Sequence, residues 1–279
     1  MRTLSVGHTT LDRYEPDLLP GGSAWYGARV FAALGARSSL ITAVGPDFDG
    51  HDAAFAGLDA RVERGRATTL FTNTYGVDGR RVQLVETEAP AVAVPPAAAL
   101  PRRLDVAFLA PVFGEVDLAA WVPLARLLSR CVGVGCQGWL KRRGAPVAGR
   151  PGVFEVVPAD WPPAPEALAG VDVACLSEED VRGREHLLDR ITEVVPLVAF
   201  TLGKRGCVLL QGGAETHVPA FPAVEVDPTG AGDTFAAGLL FGLALGRAPA
   251  DAARLGALCA ATIVEARAGE GLVRLVGRT

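Results

Sequence analysis

Brief apolar runs recur along the chain at intervals that leave room for a helix between them. TLSVG (3–7), SSLITAVG (38–45), LDVAFLA (104–110), CVGVGC (131–136), VDVACL (171–176) and PLVAFTLG (196–203) are mostly rich in Val or Leu, as strands buried on both faces tend to be. Between several of them, SAWYGARVFAALG, DLAAWVPLARLLSR and the weaker REHLLDRITEVV carry apolar positions at helical spacing. Strand and helix in alternation predict a parallel sheet covered on both faces, the doubly wound arrangement, whose ligands bind at the carboxyl ends of the strands. After Asp227 the pattern becomes almost wholly helical, through TGAGDTFAAGLLFGLALG and PADAARLGALCAATIVEAR.

One segment departs from this rhythm. TTLFTNTYGVDGRRVQLVETEA (68–89) is two runs of alternating polarity joined by GVDG, the pattern of an antiparallel hairpin that is not fully buried. With the short stretch around residues 11–20 it predicts either a small β-flap able to shield a site from water or an ordinary edge hairpin. The proline-rich pieces at 89–103 and 156–170 read as surface connections, so residues 1–279 are expected to form one domain.

Composition narrows the function. With 279 residues, 49% of them hydrophobic, the chain can bury a substantial core and is not a disordered segment. The net charge of −4 comes from 27 basic and 31 acidic residues with no block of one sign, which argues against nucleic acid as a partner and for a small-molecule substrate. Five cysteines form no CxxC pair and no metal-ligand spacing with the four histidines, so reduced thiols and a cytoplasmic location are expected. No signal peptide and no membrane-spanning run is evident in the sequence.

The densest chemistry lies at residues 227–238, DPTGAGDTFAAG. Pro228 stops the preceding strand, the glycines permit tight or left-handed turns, and apolar periodicity begins near Phe235. Gly230, Ala231 and Gly232 therefore fall at a helix N-terminus, where unpaired amides and the helix dipole favour an anion such as phosphate. Asp233 stands beside that cradle, where two negative charges repel by ~1–4 kcal/mol. Two roles fit it: a base that takes the proton of a hydroxyl receiving a phosphoryl group, or a plain helix start. Neither a Walker-type GxxxxGK[ST] nor a dinucleotide GxGxxG at a strand–turn–helix site is present.

DPTGAGDTFAAG closely resembles the C-terminal signature of the ribokinase-like (PfkB) family of carbohydrate and nucleoside kinases, and PGGSAWYGARVFAALGARSSLITAVGPDFDG resembles its N-terminal one. The similarity of order and spacing runs from the first strand to the last helix. It implies a ribokinase-like α/β fold, a Rossmann-like doubly wound, mostly parallel sheet with a small β-lid at about 11–20 and 68–89. It also implies MgATP as donor, an alcohol as acceptor, and a homodimer as one assembly through lid hairpins.

By this resemblance Asp233 is the catalytic base, and Gly230, Ala231 and Gly232 form the anion hole. Ser177, Thr201, Gly203 and Gly206, the last three from TLGKRG, line the nucleotide with Gly230 and Gly232, and the last helix walls the adenine pocket. Asp12 would accept from substrate hydroxyls, with Gly21 and Gly22 beside it. Tyr26 stands where many sugar kinases have Asn, and would stack on an apolar ring face.

CQGWLK (136–141) resembles an element of the inositol-kinase-like branch, with Gln137 and Lys141 reaching the substrate; filler of a buried strand and a basic turn would read the same. SEED (177–180) corresponds to the family's NxxE element, so Glu179 and Asp180 are expected to organise Mg²⁺, although an acidic helix cap explains the same residues. Asp227 and Thr229 sit where some relatives hold a monovalent cation. The resemblance thus implies a kinase for a polyol, cyclitol or sugar. A nucleoside or vitamin kinase of the same fold and a binding protein without turnover are the alternatives.

Overall fold

The structure, a computed structural model, describes residues 1–75, 81–101, 103–160, 165–267 and 270–276. In chain order its strands are β1 (Arg2–Val6), β2 (Thr10–Tyr14), β3 (Asp17–Gly21), β4 (Arg37–Val44), β5 (Asp59–Arg64), β6 (Thr69–Tyr75), β7 (Arg81–Thr87), β8 (Leu104–Leu109), β9 (Ser129–Gly135), β10 (Lys141–Pro146), β11 (Phe154–Pro158), β12 (Val173–Ser177), β13 (Leu197–Thr201), β14 (Cys207–Gln211) and β15 (Ala214–Val218). The helices are α1 (Ser23–Ala33), α2 (Leu118–Leu128), α3 (Glu178–Val181), α4 (His186–Thr192), α5 (Ala231–Ala244) and α6 (Pro249–Val264).

Each of the six apolar runs is a strand of one nine-stranded sheet, ordered β15-β14-β13-β12-β9-β8-β1-β4-β5. From β13 to β5 neighbours run parallel, and β14 and β15 close the other edge as an antiparallel hairpin. Alternate residues feed two separate cores. Val106 and Phe108 of β8, and Val173 and Cys175 of β12, pack with α1, α5 and α6, whereas Ala107, Leu109, Ala174 and Leu176 pack with α2 and α4. Because both faces are covered, the strands read as continuous apolar runs rather than alternating ones. On the first face α5 and α6 approach closely: a methyl group on Gly238 would lie 2.8 Å from the Gly256 Cα, so only glycine fits the crossing.

The second sheet has six strands, β10-β11-β7-β6-β2-β3. It contains the two hairpins read from the sequence, β2–β3 and β6–β7, with β2 and β6 paired in parallel. The GVDG joint of the second hairpin lies outside the described residues. A third piece was not expected: β10 and β11, residues 141–158, add an antiparallel hairpin onto β7. Its strands hide in sequence because KRRGAP lacks alternation and β11 runs into a proline-rich stretch. They are strands by virtue of pairing, not propensity.

Alternation within β2 places Asp12 and Tyr14 on one face and Arg13 on the other. Arg13 makes two hydrogen bonds to Glu86, 3.0 and 2.9 Å, and Arg150 from the added hairpin lies 3.1 Å from the same carboxylate. Arg13 holds the Glu86 carboxyl below the usual carboxylate range.

Candidate active site

The loop before α5 has the geometry that its glycines suggest. Gly230 is the N-cap residue with φ 80° and ψ 0°, a left-handed conformation that L side chains adopt at a cost of about 1–2 kcal/mol. Asp233 follows in the first turn, partly exposed. Helix geometry leaves the Gly232 and Asp233 amides without an intrahelical acceptor. The Ala231 amide, also expected to face an anion, instead donates to the Pro228 carbonyl at 3.1 Å.

Around this terminus lie two adjoining cavities at the carboxyl ends of β9, β12 and β13, where an open parallel sheet binds its ligands. The larger, about 850 Å³, is lined by Gln137, Ser177, Glu179, Asp180, Thr201 and Asp233 among others. The smaller, about 470 Å³, is largely apolar, with Phe221, Phe235, Ala257, Ala260, Ala261 and Val264 in its wall. Thr201, Gly203, Ala231 and Gly232 line both, and Gly206 lines the smaller at a turn with φ 90°. A polar cleft and an apolar slot meet at one helix terminus, an arrangement suited to a ligand with an anionic tail and an aromatic head.

On the other side of Asp233 stands the β2–β3 corner. Asp12 is 6% exposed. Its carboxylate lies against Gly21, where a Cβ would come within 2.3 Å of Oδ2. Gln137, in the turn after β9, links this corner to α5: its side-chain NH₂ donates to Ser23 Oγ, at the start of α1, and to Asp233 Oδ1 at 3.0 Å, while Lys141 Nζ donates to its Oε1 at 3.2 Å. Gln137, expected with Lys141 to reach the substrate, lines the larger cavity. Asp12, Gly21, Gly22, Tyr26 and Lys141 line neither cavity directly.

Tyr26 does not fit the stacking role. It is 1% exposed, and its ring lies directly against Gly230 as a support beneath the loop that precedes α5. Burial first, then the negative charge of Asp12 and, further down, of Asp227 and Asp233, holds its phenol well above the ordinary tyrosine range. The i+2 spacing from Asp12 could have drawn attention to Tyr14, which the sequence reading missed. Its hydroxyl donates to Asp227 Oδ2 at 2.8 Å and lies 3.1 Å from Thr229 Oγ1. The Thr229 amide donates to Asp227 Oδ1 at 2.9 Å. Where the sequence suggested a monovalent cation, a lid tyrosine therefore holds both side chains.

The acidic stretch at 177–180 is a capping box. Ser177 Oγ accepts from the Asp180 amide, and Asp180 Oδ2 accepts from the Ser177 amide and hydroxyl, each at 2.7 Å. Glu178 pairs with Arg205 at 2.7 Å. Among the described residues no cluster of three or more His, Cys, Asp or Glu is placed to hold a metal ion. Glu179 and Asp180 line the larger cavity, and a Mg²⁺ that keeps several waters needs only one or two carboxylates plus ligand phosphates. The donor set therefore fits a metal brought with a phosphate ligand.

Residues 152–271 match the model of the pfkB family carbohydrate kinases. The chain is 31% identical over 245 residues to an inositol 3-kinase of Oryza sativa subsp. japonica, covering 85% of this chain and 60% of that protein. A maize inositol 3-kinase is 56% identical over 59 residues, 21% of this chain and 16% of that one. The chain thus spans less than two thirds of the length of these relatives. Among solved structures, a pyrophosphate-dependent kinase of the ribokinase family, complexed with a pyrophosphate analogue and myo-inositol, superposes with TM-score 0.76 at 16% identity, covering 95% of this chain and 94% of that one. A Burkholderia thailandensis nucleoside kinase in complex with inosine superposes with TM-score 0.74 at 19% identity over 96% and 92% of the two chains. The fold is ribokinase-like.

Proposed function

The chain belongs to the pfkB family of carbohydrate kinases, and on that premise we propose that it transfers the terminal phosphoryl group of ATP to a hydroxyl of a small polyol, with inositol-like cyclitols as its preferred acceptors. The observation that carries the proposal is the position of Asp233. Its carboxylate stands in the first turn of α5, on the wall of the 850 Å³ cavity that Glu179 and Asp180 also line, and Gln137 ties it to the Gly21–Gly22–Ser23 corner. A hydroxyl held by Asp12 would give its proton to Asp233 as the new P–O bond forms, while the Gly232 and Asp233 amides hold the charge on the moving phosphoryl group.

The Oryza relative, an inositol 3-kinase, supports the acceptor class. Asp12, a buried carboxylate, supports it too, since a carboxylate can accept from two neighbouring hydroxyls at once. The donor reading rests on the apolar slot. Pyrophosphate has no group to place among Phe221, Phe235, Ala257 and Val264, whereas a purine does. Mg²⁺, carried in with the nucleotide, would sit by Glu179 and Asp180 and neutralise phosphate charge. No monovalent cation is assigned, because Tyr14 engages the side chains that would hold it. We take residues 1–279 as one catalytic unit acting on small molecules in the cytoplasm. A homodimer formed through the edges of the lid sheet is open to a sizing measurement.

Release of ADP from MgATP across a panel of inositols, fructose, ribose and inosine, with pyrophosphate as an alternative donor, tests the proposal. An inositol is expected to give the highest kcat/KM. Preference for inosine favours the nucleoside kinase reading, and turnover with pyrophosphate but not ATP removes the donor assignment.

A further inference from the structure

We infer that Arg182 is a donor-binding residue, the cation that receives the phosphate chain of the nucleotide in the larger cavity; the inference rests on the donor reading above. Arg182 directly follows α3, where the backbone leaves the helix at φ −52° and ψ 121°, and it stands exposed on the cavity wall. Four acidic residues line the same cavity, Glu178, Glu179, Asp180 and Asp233, and Arg182 is the one basic residue among the described ones that does. A polyphosphate that enters is repelled by every charged side chain of the wall but this one.

The neighbouring cations are committed elsewhere. Arg205 pairs with Glu178 at 2.7 Å and Lys204 with Glu225 at 3.3 Å, while Arg184 donates to the carbonyls of Ala159 and Asp180. Among the described residues none accepts a hydrogen bond from Arg182 or pairs with it, although Glu179 and Asp180 share its wall. Its planar fork of N–H donors matches the oxygens of a phosphate, and charge-assisted bonds of this kind are about twice as strong as neutral ones. The two cavities fix which part of the ligand it meets. Arg182 lines the larger and not the apolar slot, and Thr201, Gly203, Ala231 and Gly232, which line both, mark where the ligand passes from one to the other. Arg182 therefore faces phosphate and not base. The Gly232 and Asp233 amides bring the partial charge of a helix terminus to the same cavity, and Arg182 adds a full charge beside the carboxylates that would otherwise repel the phosphates.

Calorimetric titration of ATP with Mg²⁺, and of adenosine, into wild type, Arg182→Gln and Arg182→Lys without acceptor tests this. Arg182→Gln is expected to weaken ATP binding by at least about fivefold and to leave adenosine, which has no phosphate, within about twofold of wild type. Arg182→Lys, which keeps the charge and loses the fork, should fall between wild type and Arg182→Gln for ATP. In turnover the KM for ATP should rise in step, with the acceptor KM in place. Arg182 is exposed, so both variants should melt with the wild type, and Arg182→Lys keeps the test standing if Arg182→Gln does not fold. A loss of ATP affinity below about fivefold in Arg182→Gln, or an equal loss for ATP and adenosine, overturns the inference and leaves the kinase reading in place. A wild type that binds ATP no more tightly than adenosine overturns it together with the donor assignment. Tight ATP binding without turnover of any acceptor removes the kinase reading alone.

Discussion

Replacing Gly230 by alanine puts a methyl group where the structure has no room. An ideal Cβ at this position lies 2.6 Å from Tyr26 Cζ and 2.7 Å from both Cε atoms, against about 3.5–4.0 Å for a comfortable carbon–carbon contact. The ring cannot easily yield: it is 1% exposed and packs edge-on against Trp25 with centroids 4.9 Å apart. Overpacking of this kind costs ~1–3 kcal/mol, and the left-handed backbone at φ 80° adds ~1–2 kcal/mol. A total of ~2–5 kcal/mol should lower the melting temperature by about 3–9 °C. It should also lower kcat, since the anion loop must shift to admit the methyl. Gly232→Ala is the matched control. Its Cβ would meet nothing within 4 Å and it lies in the helix, so stability should hold or rise by up to ~1 kcal/mol. Because Gly232 lines both cavities, the KM for the donor should rise instead. Thermal melts and ADP release on both variants read this out. A Gly230→Ala protein that melts within about 2 °C of wild type, or a Gly232→Ala protein that is the less stable of the two, refutes the packing argument.

Tyr14→Phe removes the hydroxyl that donates to the buried Asp227 and should cost ~1–3 kcal/mol, measured by urea unfolding. Ala261→Phe fills the apolar slot and should raise the KM for ATP by at least about tenfold while leaving the acceptor KM in place; an unchanged ATP KM would place the base elsewhere. Burial pushes all five thiols up, Cys207 to about 11 and Cys131 to about 12, so native protein should react negligibly with iodoacetamide at pH 8 and unfolded protein fully. The sign of the stability effect follows. Above pH 9, the ordinary thiol value, the unfolded chain releases protons that the folded chain keeps, so stability falls as pH rises through 9 to 11. A melting temperature that climbs over that interval contradicts the burial.

The parallel sheet was legible because burial on both faces writes itself as uninterrupted Val- and Leu-rich runs, and the anion loop because left-handed turns demand glycine at fixed places. What escaped depends on distant pairing. The strand at Lys141–Pro146 exists because Phe154–Pro158 lies beside it, and no local pattern announces that. Tyr26 looked like a substrate platform because a sequence shows an aromatic residue but not the Gly230 backbone packed on its ring. Asp180 looked like a metal ligand and also caps its own helix, two uses that the same four residues encode equally well. The tie from Gln137 to Asp233 spans 96 positions and becomes visible only when β9 and α5 are side by side.

The claim on which the rest depends is that Asp233 removes the proton from the acceptor hydroxyl. Asp233→Asn keeps the shape of the side chain and removes its basicity, so it separates binding from chemistry. With MgATP and the preferred inositol, kcat should fall by about 10²- to 10⁴-fold, while calorimetry shows nucleotide and acceptor bound within a few-fold of wild type. Turnover that survives the substitution, or affinity that disappears with it, would contradict the account.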